Sequence, residues 1–78
     1  KANEKTVSLE LESVDEERRE VIIRVKNKDF LRNFWIYSKD AGLRFDRNFV
    51  DLLPGEHFIK IHYEVEAPTL SDFNMRWL

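Results

Sequence analysis

The side chains that could do chemistry in this chain are fifteen acidic residues and two histidines, and there is no cysteine. Glycoside or peptide hydrolysis would need two carboxyl groups held about 5 to 9.5 Å apart in a pocket. Almost every Asp and Glu lies instead in a predicted turn or on an outward strand position near Lys or Arg. Because this is how solvated surface charges are placed, the sequence predicts no catalytic pair.

The two histidines, His57 and His62, fall on one predicted strand. Residues five apart on a strand face opposite sides of a sheet, so these two imidazoles are not expected to share a metal ion. No serine has a glycine-flanked elbow, and no glycine-rich loop is present to bind phosphate. We therefore expect no catalytic, cofactor-binding or metal-binding residue.

The aromatic pair Trp35 and Tyr37 has three possible roles. Two rings at alternate positions of a strand lie about 7 Å apart along it, a spacing at which sugar rings could stack. The rings could instead belong to the core, with Phe34 and Ile36 facing outward, or cover an outer face where a neighbouring domain docks. Docking is favoured, because an open aromatic patch is unfavourable on an isolated small domain.

Two strands are predicted N-terminal to this aromatic pair, over residues 6–14 and 20–27, with a charged turn between them. Apolar side chains alternate with polar ones in both segments, which indicates two half-buried strands. The outward glutamates of the first strand would lie opposite Arg24 and Lys26 of the second. Opposite charges at these positions favour antiparallel pairing of the two strands.

Further short strands are predicted over residues 30–38, 43–45, 57–65 and 73–78. In the strand 57–65 the alternate residues from Ile59 to Val65 are expected to face the core. The segment 70–72 could begin a helical turn, but the alternation after it favours a strand. About seven short strands with turns between them, and no long helix, predict an all-β, two-sheet Greek-key sandwich of immunoglobulin type.

The segment 44–56 combines turn residues with apolar anchors. Pro54 followed by Gly55 predicts a type II turn, because proline presets φ and glycine accepts a positive φ. Residues 46–48 predict a tight bend before it. The segment also holds four large apolar side chains, Phe45, Phe49, Leu52 and Leu53. Because that is too many for a solvated loop, we expect a corner packed onto the core that links the two sheets.

The length and charge of the chain limit its class. Seventy-eight residues predict one domain, 1–78. A formal charge of −2 without a basic block argues against a nucleic-acid partner. No apolar run approaches the roughly 18 residues of a membrane span. The lack of cysteine leaves the cellular compartment open.

The segment 45–56, Phe-Asp-Arg-Asn-Phe-Val-Asp-Leu-Leu-Pro-Gly-Glu, resembles the C-terminal immunoglobulin-like domain of β-mannosidases of glycoside hydrolase family 2. The chain departs from that pattern at Arg47, where an acidic residue is commoner, and at Val50, where an aromatic residue is usual. A fibronectin type III corner would place a tyrosine at position 58, where this chain has Phe58. The β-mannosidase resemblance is therefore favoured.

The resemblance implies a non-catalytic accessory domain from the C-terminal end of a larger retaining enzyme, whose two catalytic glutamates lie on a barrel outside this chain. The expected partners are other domains of the same polypeptide. The alternative function is that of a carbohydrate-binding module, whose partner would be an oligosaccharide. No cofactor is expected in either case. A periplasmic, secreted or lysosomal compartment fits the family, and the cytosol stays open. The residues expected to build the structural corner are Phe45, Asn48, Phe49, Leu52, Leu53, Pro54 and Gly55.

Overall fold

The computed structural model describes residues 6–39 and 42–78. Within them the chain forms seven β-strands, a 3-10 turn before the last strand and no α-helix. The elements are β1 Val7–Asp15, β2 Glu20–Asn27, β3 Leu31–Ser38, β4 Arg44–Phe45, β5 Val50–Leu52, β6 Gly55–His62, the 3-10 turn Leu70–Asp72 and β7 Phe73–Arg76. No helix of the described part is long and apolar enough to cross a membrane.

The strands form two antiparallel sheets, which confirms the predicted two-sheet sandwich of immunoglobulin type. The large sheet has the order β1-β2-β6-β4, and the small sheet has the order β5-β3-β7. The predicted hairpin pairs β1 with β2, and Glu10 lies opposite Arg24 as expected. Lys26, however, lies opposite Ser8 and not opposite a glutamate. Alternation in β2 leaves Val21 and Ile23 fully buried between the sheets, because the side chains of a strand point to opposite faces in turn.

β1 contains a bulge that the sequence pattern did not reveal. Leu11 pairs with Ile23 but Ser13 pairs with Ile22, so Glu12 is one extra residue on β1. A bulge shifts the phase of the side chains after it. Val14 consequently lies opposite Val21 and faces the same side of the sheet as Leu11.

β6 begins two residues before its predicted start and ends at His62, three residues before its predicted end. Ile59, Ile61 and Tyr63 are buried as expected, whereas Val65 is 90% exposed. The prediction that Val65 faces the core is therefore wrong. The backbone N–H of Tyr63 donates to the carbonyl of Arg19, and the chain then bends away from the sheet.

The chain changes sheet between β4 and β5 and again between β5 and β6. β4 pairs with β6 in the large sheet, and β5 pairs with β3 in the small sheet. The predicted turn over residues 39–42 lies partly outside the described residues. The segment 70–72 forms the short helical turn that the sequence pattern did not favour. The strand β7 follows it, with Phe73 buried and Trp77 packed against the core.

Candidate docking face and its supporting corner

The ionisable side chains of the described residues do not converge on a reaction centre. His57 lies opposite Val25 and His62 opposite Glu20, so the two imidazoles occupy opposite faces of the large sheet, as predicted. No group of three or more metal-ligating side chains occurs within residues 6–39 and 42–78.

The densest charge network surrounds Arg24 on the outer face of the large sheet. Its guanidinium hydrogen-bonds to Glu12 and lies 3.6 Å from a Glu10 carboxylate oxygen and 3.7 Å from one of Glu56. The hydrogen bond to Glu12, followed by the charges of the neighbouring carboxylates, raises the pKa of Arg24. The network joins three strands of the sheet, and its exposed position makes it a weak and salt-sensitive contribution to stability.

Trp35 and Tyr37 lie on the outer face of the small sheet. Phe34 and Ile36 are fully buried in the core, and neighbouring residues of a strand point to opposite faces. The alternative that placed Trp35 and Tyr37 in the core and Phe34 and Ile36 outside is therefore wrong. Both outer rings are only half-buried, so they remain accessible to a partner.

The outer face is extended by a ring from the loop before β5. Phe49 stacks on Trp35 with 5.3 Å between ring centroids and an interplanar angle of 26°. Tyr37 is fixed from the other side, because the Nε–H of Arg76 donates to its hydroxyl oxygen over 3.2 Å. We call the four residues Trp35, Tyr37, Phe49 and Arg76 the docking face.

The side chain of Asn48 attaches the loop before β5 to β3. Its Oδ1 accepts from the backbone N–H of Ile36 at 2.9 Å, and its Nδ2 donates to the carbonyl of the same residue at 3.0 Å. The amide thus replaces a neighbouring strand, because it satisfies a donor and an acceptor of β3 that no strand backbone reaches. This contact holds Phe49 over Trp35.

Two aspartates support the same corner. Asp46 accepts from the N–H of Lys60 through Oδ1 at 2.9 Å, while its own N–H donates to the Lys60 carbonyl at 3.0 Å. Asp51 accepts at 2.9 Å from the N–H of Asn33, which has a φ of 52° at a bulge in β3. The polar residues of the corner therefore link β5 and its preceding loop to both sheets.

Asn27 is a structural residue that the sequence reasoning missed. It is 5% exposed at the end of β2, and its Nδ2 donates to the carbonyls of Asp29, Leu52 and Leu53 over 2.9, 3.3 and 3.0 Å. Its Oδ1 has no hydrogen-bond partner among the described residues. In the sequence Asn27 is one polar residue in a polar break, so only the tertiary structure distinguishes it from its neighbours.

The four apolar anchors of the corner divide into two pairs. Leu52 is 1% exposed, and Phe45 packs edge-on against Phe73. Phe49 and Leu53 are 63% and 67% exposed, so the prediction that they pack onto the core is wrong. The physical reason is that the chain crosses between sheets here, and only one side of so short a crossing faces inward.

Pro54 and Gly55 lie in the crossing from β5 to β6. Gly55 has a φ of 138°, a value that residues with a Cβ rarely adopt, and it already pairs with Asn27 in the large sheet. The third position of a type II turn has φ near 80°. The chain therefore passes from one sheet to the other here, and the predicted type II turn is wrong, although the positive φ is present.

The arrangement as a whole offers a partner an aromatic surface with one guanidinium beside it. Aromatic rings bury large apolar areas at low entropic cost, and Arg adds directional donors, which is the composition of many protein contact sites. A family model described as Ig_mannosidase, an Ig-fold domain, matches residues 4–76. No curated protein and no solved structure matches the chain.

Proposed function

The chain belongs to the Ig_mannosidase family of Ig-fold domains, and from this membership we propose that it is an accessory domain of a β-mannosidase-like hydrolase of glycoside hydrolase family 2. A domain of this kind is non-catalytic in itself. Its role in the proposal is to dock on the catalytic part of its parent enzyme and stabilise it. The observation that supports docking is the stack of Phe49 on Trp35, in which the ring of Phe49 remains 63% exposed.

The backbone at Phe49 supports this role. Phe49 has a φ of 57°, in the left-handed region where glycine and asparagine are favoured and bulky side chains are disfavoured. A large ring held in that conformation and left 63% exposed contributes little to the core. Strained residues that gain nothing for the fold are typical of sites selected for contact or function.

The proposal is tested by a substitution in the parent enzyme. Phe49→Ser should lower the melting temperature of the parent, because the docking contact loses its central ring, while the isolated domain should lose less stability than the parent does. The matched control is Phe58→Ser, which removes a 47% exposed ring on the opposite sheet. Deletion of the whole domain should destabilise the parent further, and unchanged stability and kinetics after a clean deletion would refute the proposal.

A carbohydrate-binding role is the second candidate, since Arg76 places N–H donors beside the exposed rings. Sugar rings stack on aromatic faces while their hydroxyls bond to nearby polar groups. Because Phe49 covers one face of Trp35, a sugar would have to meet the outer face of Phe49. Titration of the domain with mannose and manno-oligosaccharides should then shift the amide signals of Trp35, Tyr37 and Phe49, and the absence of localised shifts at millimolar sugar would remove this candidate.

A further inference from the structure

A second apolar surface lies at the turn end of the β1–β2 hairpin, and none of the docking-face residues lines it. A groove of about 830 Å³ runs there between the end of β1 and the segment 67–69. Its apolar lining consists of Leu11, Val14, Ala67 and Pro68. Leu11 and Val14 are 44% and 41% exposed, whereas Val21 in the neighbouring strand is fully buried.

The bulge at Glu12 turns Leu11 and Val14 to the same side of β1, where they form the apolar floor of this groove. Without the extra residue, strict alternation would direct Ser13 to the same side as Leu11 and would direct Val14 to the opposite side. With it, Val14 lies opposite the inward-facing Val21. Two large apolar side chains are thus directed to one side of the strand, at a place where the small sheet does not cover them.

The rim of the groove is acidic. Asp15, Glu16 and Glu17 all line it. Arg18 partly neutralises Asp15, with 4.0 Å between its Nε and the carboxylate and a backbone N–H bond of 3.1 Å to the same side chain. Glu16 and Glu17 form no ion pair within the described residues.

We propose that this groove binds a basic segment of a partner polypeptide, which inserts one apolar side chain between Val14 and Pro68 and places Lys or Arg against Glu16 and Glu17. Charge complementarity selects this occupant, because a neutral apolar segment would leave the rim without a counter-charge. A second copy of the chain is disfavoured, because two acidic rims would then face each other. This proposal goes beyond the accessory role and does not depend on it.

The floor and the rim have separable effects on binding. Exposed charges at the edge of an interface mainly change the association rate and the salt dependence of binding, whereas the buried apolar contact mainly changes the dissociation rate. A Glu16→Gln/Glu17→Gln variant should therefore slow association and flatten the dependence on ionic strength. A Val14→Ser variant should speed dissociation and leave the salt dependence unchanged.

The experiment titrates the full chain with the synthetic peptide Gly-Lys-Lys-Leu-Lys-Gly, blocked at both ends, while backbone amide signals are followed. Shifts should localise to Leu11, Val14, Ala67 and Thr69. Affinity should fall about tenfold in the rim variant, as expected for the loss of two exposed ion pairs of about 0.7 kcal/mol each. Phe58→Ser serves as the control for the floor variant, because it removes a ring of similar exposure elsewhere.

Two further peptides separate the parts of the proposal. Replacing Leu by Ser in the peptide should weaken binding about as much as the floor variant does, and replacing every Lys by Glu should abolish it. Equal binding of the acidic peptide, shifts confined to Trp35 and Phe49, or no localised shift at millimolar peptide would each overturn the proposal. So would shifts of Leu11 and Val14 that appear on concentrating the chain alone, since a second copy would then be the occupant.

Discussion

Asn48→Ala provides the sharpest test of how the corner is held. The substitution removes the side-chain amide that bonds to both the N–H and the carbonyl of Ile36, at 2.9 and 3.0 Å. Alanine is compatible with the backbone, because Asn48 is not among the residues with positive φ. The effect therefore reports the lost bonds and no conformational strain.

The expected loss is about 2–4 kcal/mol. Each hydrogen bond contributes about 1 kcal/mol net, and leaving a partly buried backbone group unpaired costs about 1–3 kcal/mol, part of which water recovers at this half-exposed position. A domain of this size has a total stability of roughly 4–12 kcal/mol. The melting temperature should fall by about 10–25 °C, because small domains lose about 4–8 °C per kcal/mol.

Urea unfolding followed by circular dichroism measures this loss. The matched control is Asn74→Ala, at an exposed position of β7 whose side chain makes no hydrogen bond within the described residues, and it should change stability by less than about 0.5 kcal/mol. A cost for Asn48→Ala no greater than that of Asn74→Ala would refute the claim that the amide replaces a strand.

Asn48→Asp adds a pH-dependent check on the same contact. A protonated carboxyl group reproduces both the donor and the acceptor of the amide, whereas an ionised one places negative charge against the Ile36 carbonyl. We therefore expect a folded-state pKa above the ordinary value of about 3.9. The difference in stability from the natural chain should be smallest below that value and should grow as the pH rises through the folded-state pKa. A difference that stays constant with pH would contradict this geometry.

Three other predictions concern single contacts. Urea unfolding should show Phe49→Ala to be less stable than Phe49→Gly by about 1 kcal/mol. Both variants lose the stack on Trp35, but only glycine relieves the positive φ. The opposite order would contradict the strain at this position. Asn27→Ala should destabilise the domain by about 2–3 kcal/mol and speed amide hydrogen exchange near Gly55, because three carbonyls lose their donor; unchanged exchange there would disprove the link between β2 and the crossing. Arg24→Gln should reduce stability only at low ionic strength, because its carboxylate partners are solvent-exposed, and a loss that persists in 1 M salt would show a packing role instead.

The β1–β2 hairpin of the large sheet was predictable from sequence, because each of its strands alternates apolar with polar side chains. Strict alternation in β2 indicated which of its side chains are buried, and the charge of Glu10 opposite Arg24 favoured the observed register with β1. The same rule was ambiguous for β3, where both faces are apolar. Alternation there shows that Trp35 and Phe34 face opposite ways, but it does not show which of the two faces the other sheet.

The corner was less predictable, because its structure depends on contacts between residues far apart in sequence. Asn48 bonds to a strand twelve positions earlier, and Asn27 bonds to a crossing 25 and 26 positions later. Turn propensities describe four residues at a time, so they gave the positive φ of Gly55 but not the direction of the chain around it. The bulge at Glu12 left no trace in the sequence pattern, and the groove beside it was missed for that reason.

The pairing of β2 with β6 has a consequence for how the domain folds. Its rungs join residues separated by 28 positions at Asn27 and Gly55 and by 42 positions at Glu20 and His62, whereas the β1–β2 hairpin closes locally. The residues between β2 and β6 must lose conformational entropy before the pairing of these two strands contributes any stability. We therefore expect the domain to fold in milliseconds to seconds. During synthesis the hairpin emerges well before its partner strand, so the edge of β2 that pairs with β6 stays unpaired until residue 62 has left the ribosome.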